Sequence, residues 1–240
     1  MTEKLYLLDS YLREAKANIV EVKKLKGRRA YIVLDKTIFH PLHGGQPSDR
    51  GEISGKDKTF DVKKVIVKGG ELLHYGSFRE KYLFEKGEEV TLKLDWSHRY
   101  LVMRLHTAGH ILDYAVAKVR GRLVETLSAF HGSPGAYLEY GLDEKPKVEE
   151  ILSIANAVVA RDLPVQVKYV SRNELKSAIY NAPNLGRLPE AEQYRIVDIH
   201  GVNAMPCTGT HVKRTGEVGR IVVEKVEKTD RGWKIFYNVI

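Results

Sequence analysis

The chain has 240 residues, 43% hydrophobic and 29% charged, which is enough apolar content for one large or two modest packed domains and too much for a disordered chain. No apolar run reaches the roughly 18 residues of a membrane-spanning helix, and Met1-Thr2-Glu3-Lys4 is charged where a secretory signal would be apolar, so a cytoplasmic protein with no membrane partner is expected. The formal charge of +8 suits a polyanionic partner, although runs such as Glu21-Val22-Lys23-Lys24 fit a solvated surface strand equally well.

The first 95 residues read as mostly β. Ala17 to Val22 and Ala30 to Leu34 are short, β-branched runs separated by a basic turn at Lys26-Gly27. Thr59 to Val62 and Val65 to Val67 read as two strands leading into the turn Gly69-Gly70, with Leu72 to Tyr75 returning and Val90 to Leu94 alternating cleanly. Several short strands with regular turns predict a small barrel or sandwich.

At Ser97 the period changes. From there to about Val119 strong helix formers dominate, with Ser97 as the expected N-cap and Gly121 as the stop. This places a domain boundary before the helix, giving 1–95 and 96–240. Beyond it, residues 125–130 and 136–140 read as paired strands around Gly132-Ser133-Pro134-Gly135. Val148 to Asp162 reads as an amphipathic helix with Ile151, Ile154, Ala155 and Val158 on one face. A strand over Val165 to Val170, a short helix over Glu174 to Tyr180, a strand over Tyr194 to Ile199 and a terminal hairpin of Ile221 to Val226 and Trp233 to Val239 complete the pattern.

Cys207 is the lone cysteine, which excludes an intramolecular disulfide and leaves a buried thiol, a reactive thiol or a metal ligand. His106 and His110 are four apart on the predicted helix and lie on one face, close enough for two ring nitrogens to reach one ion. Thr107 follows the first histidine where a metalloprotease would have glutamate, which disfavours a peptidase. Cys207-Thr208-Gly209-Thr210-His211 adds a thiol and a third imidazole from a tight loop. Each pair alone is ambiguous; together, three imidazoles and one thiolate suit zinc better than magnesium or calcium. Four protein ligands make a closed set, so either His211 stands back from the ion or exchanges with substrate, or the metal only orients the substrate.

His106-Thr107-Ala108-Gly109-His110 and Cys207-Thr208-Gly209-Thr210-His211 resemble the editing signature shared by alanyl-tRNA synthetases and their free-standing relatives, the AlaX proteins. Leu94-Asp95-Trp96, Met103-Arg104-Leu105 and Val212 to Gly219 are similar to the family's flanking segments. Gly44-Gly45-Gln46-Pro47-Ser48-Asp49-Arg50-Gly51 looks like the glycine-rich motif of the barrel that precedes the editing core. Thr208 departs from the glycine usual in the synthetases, leaving both candidate ligands in place.

The resemblance covers nearly the whole chain and implies an α+β protein: a small translation-factor-like N-terminal β-barrel followed by an α/β sandwich editing core. With no aminoacylation domain before the barrel, it implies a trans-editing hydrolase of medium length. Such an enzyme deacylates seryl-tRNA, and in some relatives glycyl-tRNA, mischarged on the alanine tRNA. It further implies one zinc ion per chain on His106, His110, Cys207 and His211.

Catalytic work is assigned to Thr126 and His211, Thr126 standing where the family places a polar residue near the substrate side chain, with Ser128 as the alternative. Gly44, Gly45, Gln46, Arg50 and Arg104 are the candidate contacts to tRNA. His40 and His43 flank the glycine motif as polar contacts only. Three competing readings remain: a zinc hydrolase of small esters or amides, a tRNA- or translation-factor-binding module with structural zinc, and a relative of the threonyl-tRNA synthetase editing domain.

Overall fold

The computed structural model describes residues 2–81 and 83–240. The chain is α+β, and its elements fall into two compact units, the first ending at Tyr100 and the second spanning Leu101–Ile240. The break lies inside the longest helix. No described helix is long and apolar enough to cross a membrane.

The first unit opens with a two-residue strand β1 (Glu3–Lys4) and a single helical turn α1 (Leu5–Leu8), neither of which the sequence pattern signals. It continues through β2 (Glu14–Lys24), β3 (Arg29–Leu34), β4 (Lys36–Thr37), β5 (Gly51–Gly55), β6 (Lys58–Lys68), β7 (Glu71–Phe78) and β8 (Glu89–Leu94). Six of these close into a barrel in the order β2-β3-β7-β6-β5-β8, every neighbour antiparallel. Alternation explains the filling: Val90, Leu92 and Leu94 point inward from β8 while the residues between them meet solvent. Phe60 and Phe78 meet edge to face at 4.9 Å between ring centres, and Phe78 meets Phe84 at 5.3 Å.

The sequence reading of two strands over 59–67 is corrected to one strand, β6. The alternation breaks at Lys63-Lys64, both exposed, because the register shifts between Val62 and Lys64. A bulge absorbs the extra residue and keeps Val62 and Val65 inside.

Helix α2 (Trp96–Arg120) follows. Its cap is Asp95, not Ser97: Asp95 Oδ1 accepts the His98 N–H at 3.1 Å and its carbonyl takes the Arg99 N–H at 3.0 Å. Aspartate already satisfies the third free N–H from outside the helix, so Ser97 sits within the first turn. Gly121, with φ +67, ends the helix as expected.

The second unit adds β9 (Thr126–Phe130), β10 (Tyr137–Tyr140), α3 (Val148–Ala160), β11 (Val165–Ser171), α4 (Leu175–Ala178), β12 (Gln193–Ile199), β13 (Asn203–Pro206), β14 (Ile221–Thr229) and β15 (Gly232–Val239). The strands form an antiparallel four-stranded sheet, β14-β15-β10-β9, and a three-stranded one, β11-β12-β13. Ile151, Ala155 and Val158 are the buried face of α3, with Ile154 only partly covered. Helix α4 is shorter than Glu174 to Tyr180 because Tyr180 leaves it to exchange two backbone hydrogen bonds with Ala204.

Candidate metal centre and its surroundings

The middle of α2 is buried almost all round, including His106, Thr107, Ala108, Gly109 and His110. His106 and His110 share the face that meets the loop after β13. That loop brings in Cys207 and His211, and the metal-binding atoms of all four residues lie within 4.8 Å of one another. Cys207 Sγ is 3.6 Å from His106 Nε2 and 3.4 Å from His211 Nε2. Zn–S of about 2.3 Å and Zn–N of about 2.0–2.1 Å at a tetrahedral angle put sulfur and nitrogen about 3.6 Å apart, so the donors are spaced as one ion requires.

The surroundings hold these donors in place. His211 Nδ1 meets Thr107 Oγ1 at 3.1 Å, which directs Nε2 toward the thiol. The Gly209 N–H donates to Cys207 Sγ at 3.4 Å. Arg195, on β12, donates to the carbonyls of Cys207 at 2.7 Å and Gly209 at 3.0 Å, tying down the loop. Asn203 Nδ2 donates to the His110 carbonyl at 2.7 Å.

His110 Nδ1 is buried with no hydrogen-bond partner, unlike the barrel's buried His74, which uses both ring nitrogens. Burial, and then the nearby Arg195, push His110 down to about 4, so its ring is neutral at physiological pH. Burial pushes the Cys207 thiol up, against smaller lowering effects from the Gly209 N–H and Arg195. A cation bound here would displace that proton. Spacing, burial and donor chemistry together show a cluster able to hold one metal ion.

Residues 10–98 match the family model "tRNA synthetases class II (A)", and residues 194–234 match "Threonyl and Alanyl tRNA synthetase second additional domain". The alanyl-tRNA editing protein AlaX-M of Saccharolobus solfataricus is 33% identical over 100% of this chain and 99% of its own length. The chain belongs to the AlaX family of alanyl-tRNA editing proteins. AlaX-L of Pyrococcus horikoshii is 37% identical, and an alanine–tRNA ligase of Pyrobaculum neutrophilum is 34% identical. The chain spans 58% of the length of that AlaX-L and 26% of that ligase.

Among the other AlaX candidates, Thr126 is buried at the start of β9, and its Oγ1 donates to Asp113 Oδ1 at 2.9 Å. Ser128 Oγ lies 3.1 Å from Tyr137 Oη. Arg104 donates through Nε to the Val218 carbonyl at 2.9 Å, and its guanidinium packs over Gly219.

Gly44, Gly45, Gln46 and Arg50 belong to the barrel unit. Gly44 and Gly45 have φ of +58 and +77 and form the tip of a turn closed by two backbone bonds between His43 and Gln46. Nothing lies within 4 Å of where a Gly44 side chain would begin, whereas Gln46 is fully buried. Arg50 pairs with Asp95 at 2.8 Å on the surface.

Further residues around the site carry no motif and escape the sequence reading. His131, just past β9, stacks on His106 with ring centres 4.2 Å apart and 14° between planes. Tyr237 Oη donates to the Leu105 carbonyl at 3.0 Å, so its contact with His131 Nδ1 at 2.7 Å must be donated by the histidine. Burial, followed by His110, pushes His131 down to about 3. Asp113, one turn beyond His110, accepts from both Thr126 and Tyr140.

Proposed function

We propose that this chain is a zinc-dependent hydrolase that removes serine, and glycine where it has been attached, from mischarged alanine tRNA while leaving alanyl-tRNA intact. The carrying observation is the His106, His110, Cys207 and His211 cluster, in a chain that aligns end to end with an AlaX-M editing protein. In this reading the barrel, residues 1–95, and the editing core, residues 96–240, divide at the foot of α2.

The scissile bond is an ester between an amino acid and a ribose hydroxyl, so cleavage needs a water, charge stabilisation on the carbonyl oxygen and a proton for the leaving oxygen. Zinc, when bound, supplies a Lewis acid that can polarise a carbonyl or lower the pKa of a water. The chain's own residues do the placing. Thr107, Arg195 and Asn203 hold His211, the cysteine loop and the His110 backbone, so the donor set is rigid before any ligand arrives. His211 completes the set and is the proposed residue to exchange with substrate. Thr126 faces the amino-acid side chain. Gly44, Gly45, Gln46, Arg50 and Arg104 are the proposed tRNA contacts.

The four-donor set also supports a second reading, a tRNA- or translation-factor-binding module whose zinc is purely structural. One substitution tests the metal assignment, and wild-type serine release separates the two readings. Cys207→Ala is expected to lose bound metal and serine release together, with tRNA binding retained. Wild-type metal content and serine release in that variant would overturn the assignment. A zinc-loaded wild-type protein that binds tRNA without releasing serine would leave only the binding module.

A further inference from the structure

We propose that Asp113 is a positioning residue: it holds the proton of the Thr126 hydroxyl, and so makes Thr126 an acceptor for a hydroxyl group on the aminoacyl substrate. The proposal rests on the hydrolase reading above and names the chemistry of its selectivity.

Asp113 lies three residues past His110, about 4.5 Å further along α2 and on the same face. Strand β9 passes alongside, with Thr126 against Asp113 at its start and His131 stacked on His106 just beyond its end. Helix α2 and strand β9 therefore carry both the Asp113–Thr126 pair and the His106–His131 stack.

Thr126 Oγ1 and Tyr140 Oη donate to the same oxygen, Asp113 Oδ1, each at 2.9 Å. An ionised carboxylate only accepts, so both protons are committed to it. Burial raises Asp113 to about 6, which leaves it mostly ionised at neutral pH. The Thr126 backbone is held in place: Asn184 accepts its N–H at 3.2 Å and donates to its carbonyl at 3.0 Å, and Arg187 donates to the same carbonyl at 3.1 Å.

A hydroxyl with its single proton spent can offer a ligand only lone pairs. A seryl side chain can donate into them. An alanyl methyl cannot, and would leave a buried oxygen unpaired. Asp113→Asn is nearly isosteric, but its amide can donate to Thr126 and turn the threonine proton toward the substrate.

The test compares kcat/KM for seryl-tRNA and alanyl-tRNA on each metal-loaded, full-length preparation, with metal content and melting temperature recorded. In Asp113→Asn the seryl-over-alanyl ratio should fall roughly tenfold to a hundredfold with metal content unchanged. Asp113→Glu, which keeps an acceptor, should recover part of it. Tyr140→Phe, which removes only the other donor on that oxygen, should keep the ratio. Because each ratio is taken within one preparation, a loss of folded protein cancels. An unchanged ratio in Asp113→Asn beside a collapsed one in Thr126→Val would overturn the role of Asp113 and leave the hydrolase reading standing. No serine release by the wild-type protein would overturn both.

Discussion

Two buried histidines show how residue chemistry separates structure from function. His74, inside the barrel, donates from Nδ1 to the Ile32 carbonyl at 3.0 Å, so its Nε2 accepts the Thr37 hydroxyl proton at 2.8 Å. Both nitrogens are spent, and burial lowers its pKa from 6.5 to about 4. The unfolded chain therefore binds a proton more readily than the folded one between those values. The stability contributed by neutral His74 is present above about pH 6.5 and is lost as pH falls toward about 4, at up to ~1.4 kcal/mol per unit. Urea unfolding at pH 7 and pH 4.5 should show wild type losing about 2 kcal/mol more than His74→Gln; equal losses would contradict the assignment. The other buried histidines titrate in both proteins and cancel.

His110, with a buried nitrogen left over, is the contrasting case. At this scale the sequence is readable where chemistry repeats at a fixed spacing. His106 and His110, and Cys207 and His211, announce themselves. Asp113, His131 and Arg195 do not, because each meets its partner through space across elements, and nothing in its own neighbourhood marks it.

At the scale of elements, Gly109 in the middle of α2 costs about 1 kcal/mol relative to alanine in helix propensity. Packing explains its presence. A Cβ there would lie 2.6 Å from His131 Cε1 and 2.9 Å from its Nδ1, with Tyr237 Oη at 3.2 Å. The helix lacks a side chain at that point so that His131 can lie flat on His106. Gly109→Ala should destabilise the protein by about 1–3 kcal/mol, despite better helix propensity, and weaken metal binding by displacing the ring. Thermal melts and chelator competition measure both; a higher melting temperature with undiminished metal affinity would refute the packing argument.

Legibility among elements follows the same logic. Helix α2, the barrel strands and the terminal hairpin carry periods that a sequence shows. Strand β13 does not: Asn203–Pro206 is four residues ending in proline, and its extended form comes from pairing with β12. The capping role of Asp95 is visible only once the helix start is fixed at Trp96.

At the scale of the whole molecule, two stretches distant in sequence meet in the second unit to form one donor cluster, and an AlaX-M editing protein matches the chain along its full length. The barrel contributes a glycine turn whose tip is open, and the chain carries a net +8. These features together support the proposed function, cleavage of a single ester on a mischarged tRNA. The most direct test follows release of labelled serine from seryl-tRNA made on the alanine tRNA, beside correctly charged alanyl-tRNA, before and after chelation and after zinc is restored. Fast release from the seryl species alone is expected, abolished by chelation and recovered with zinc. Serine release that is indifferent to chelation, or no release by a zinc-loaded protein, would contradict it.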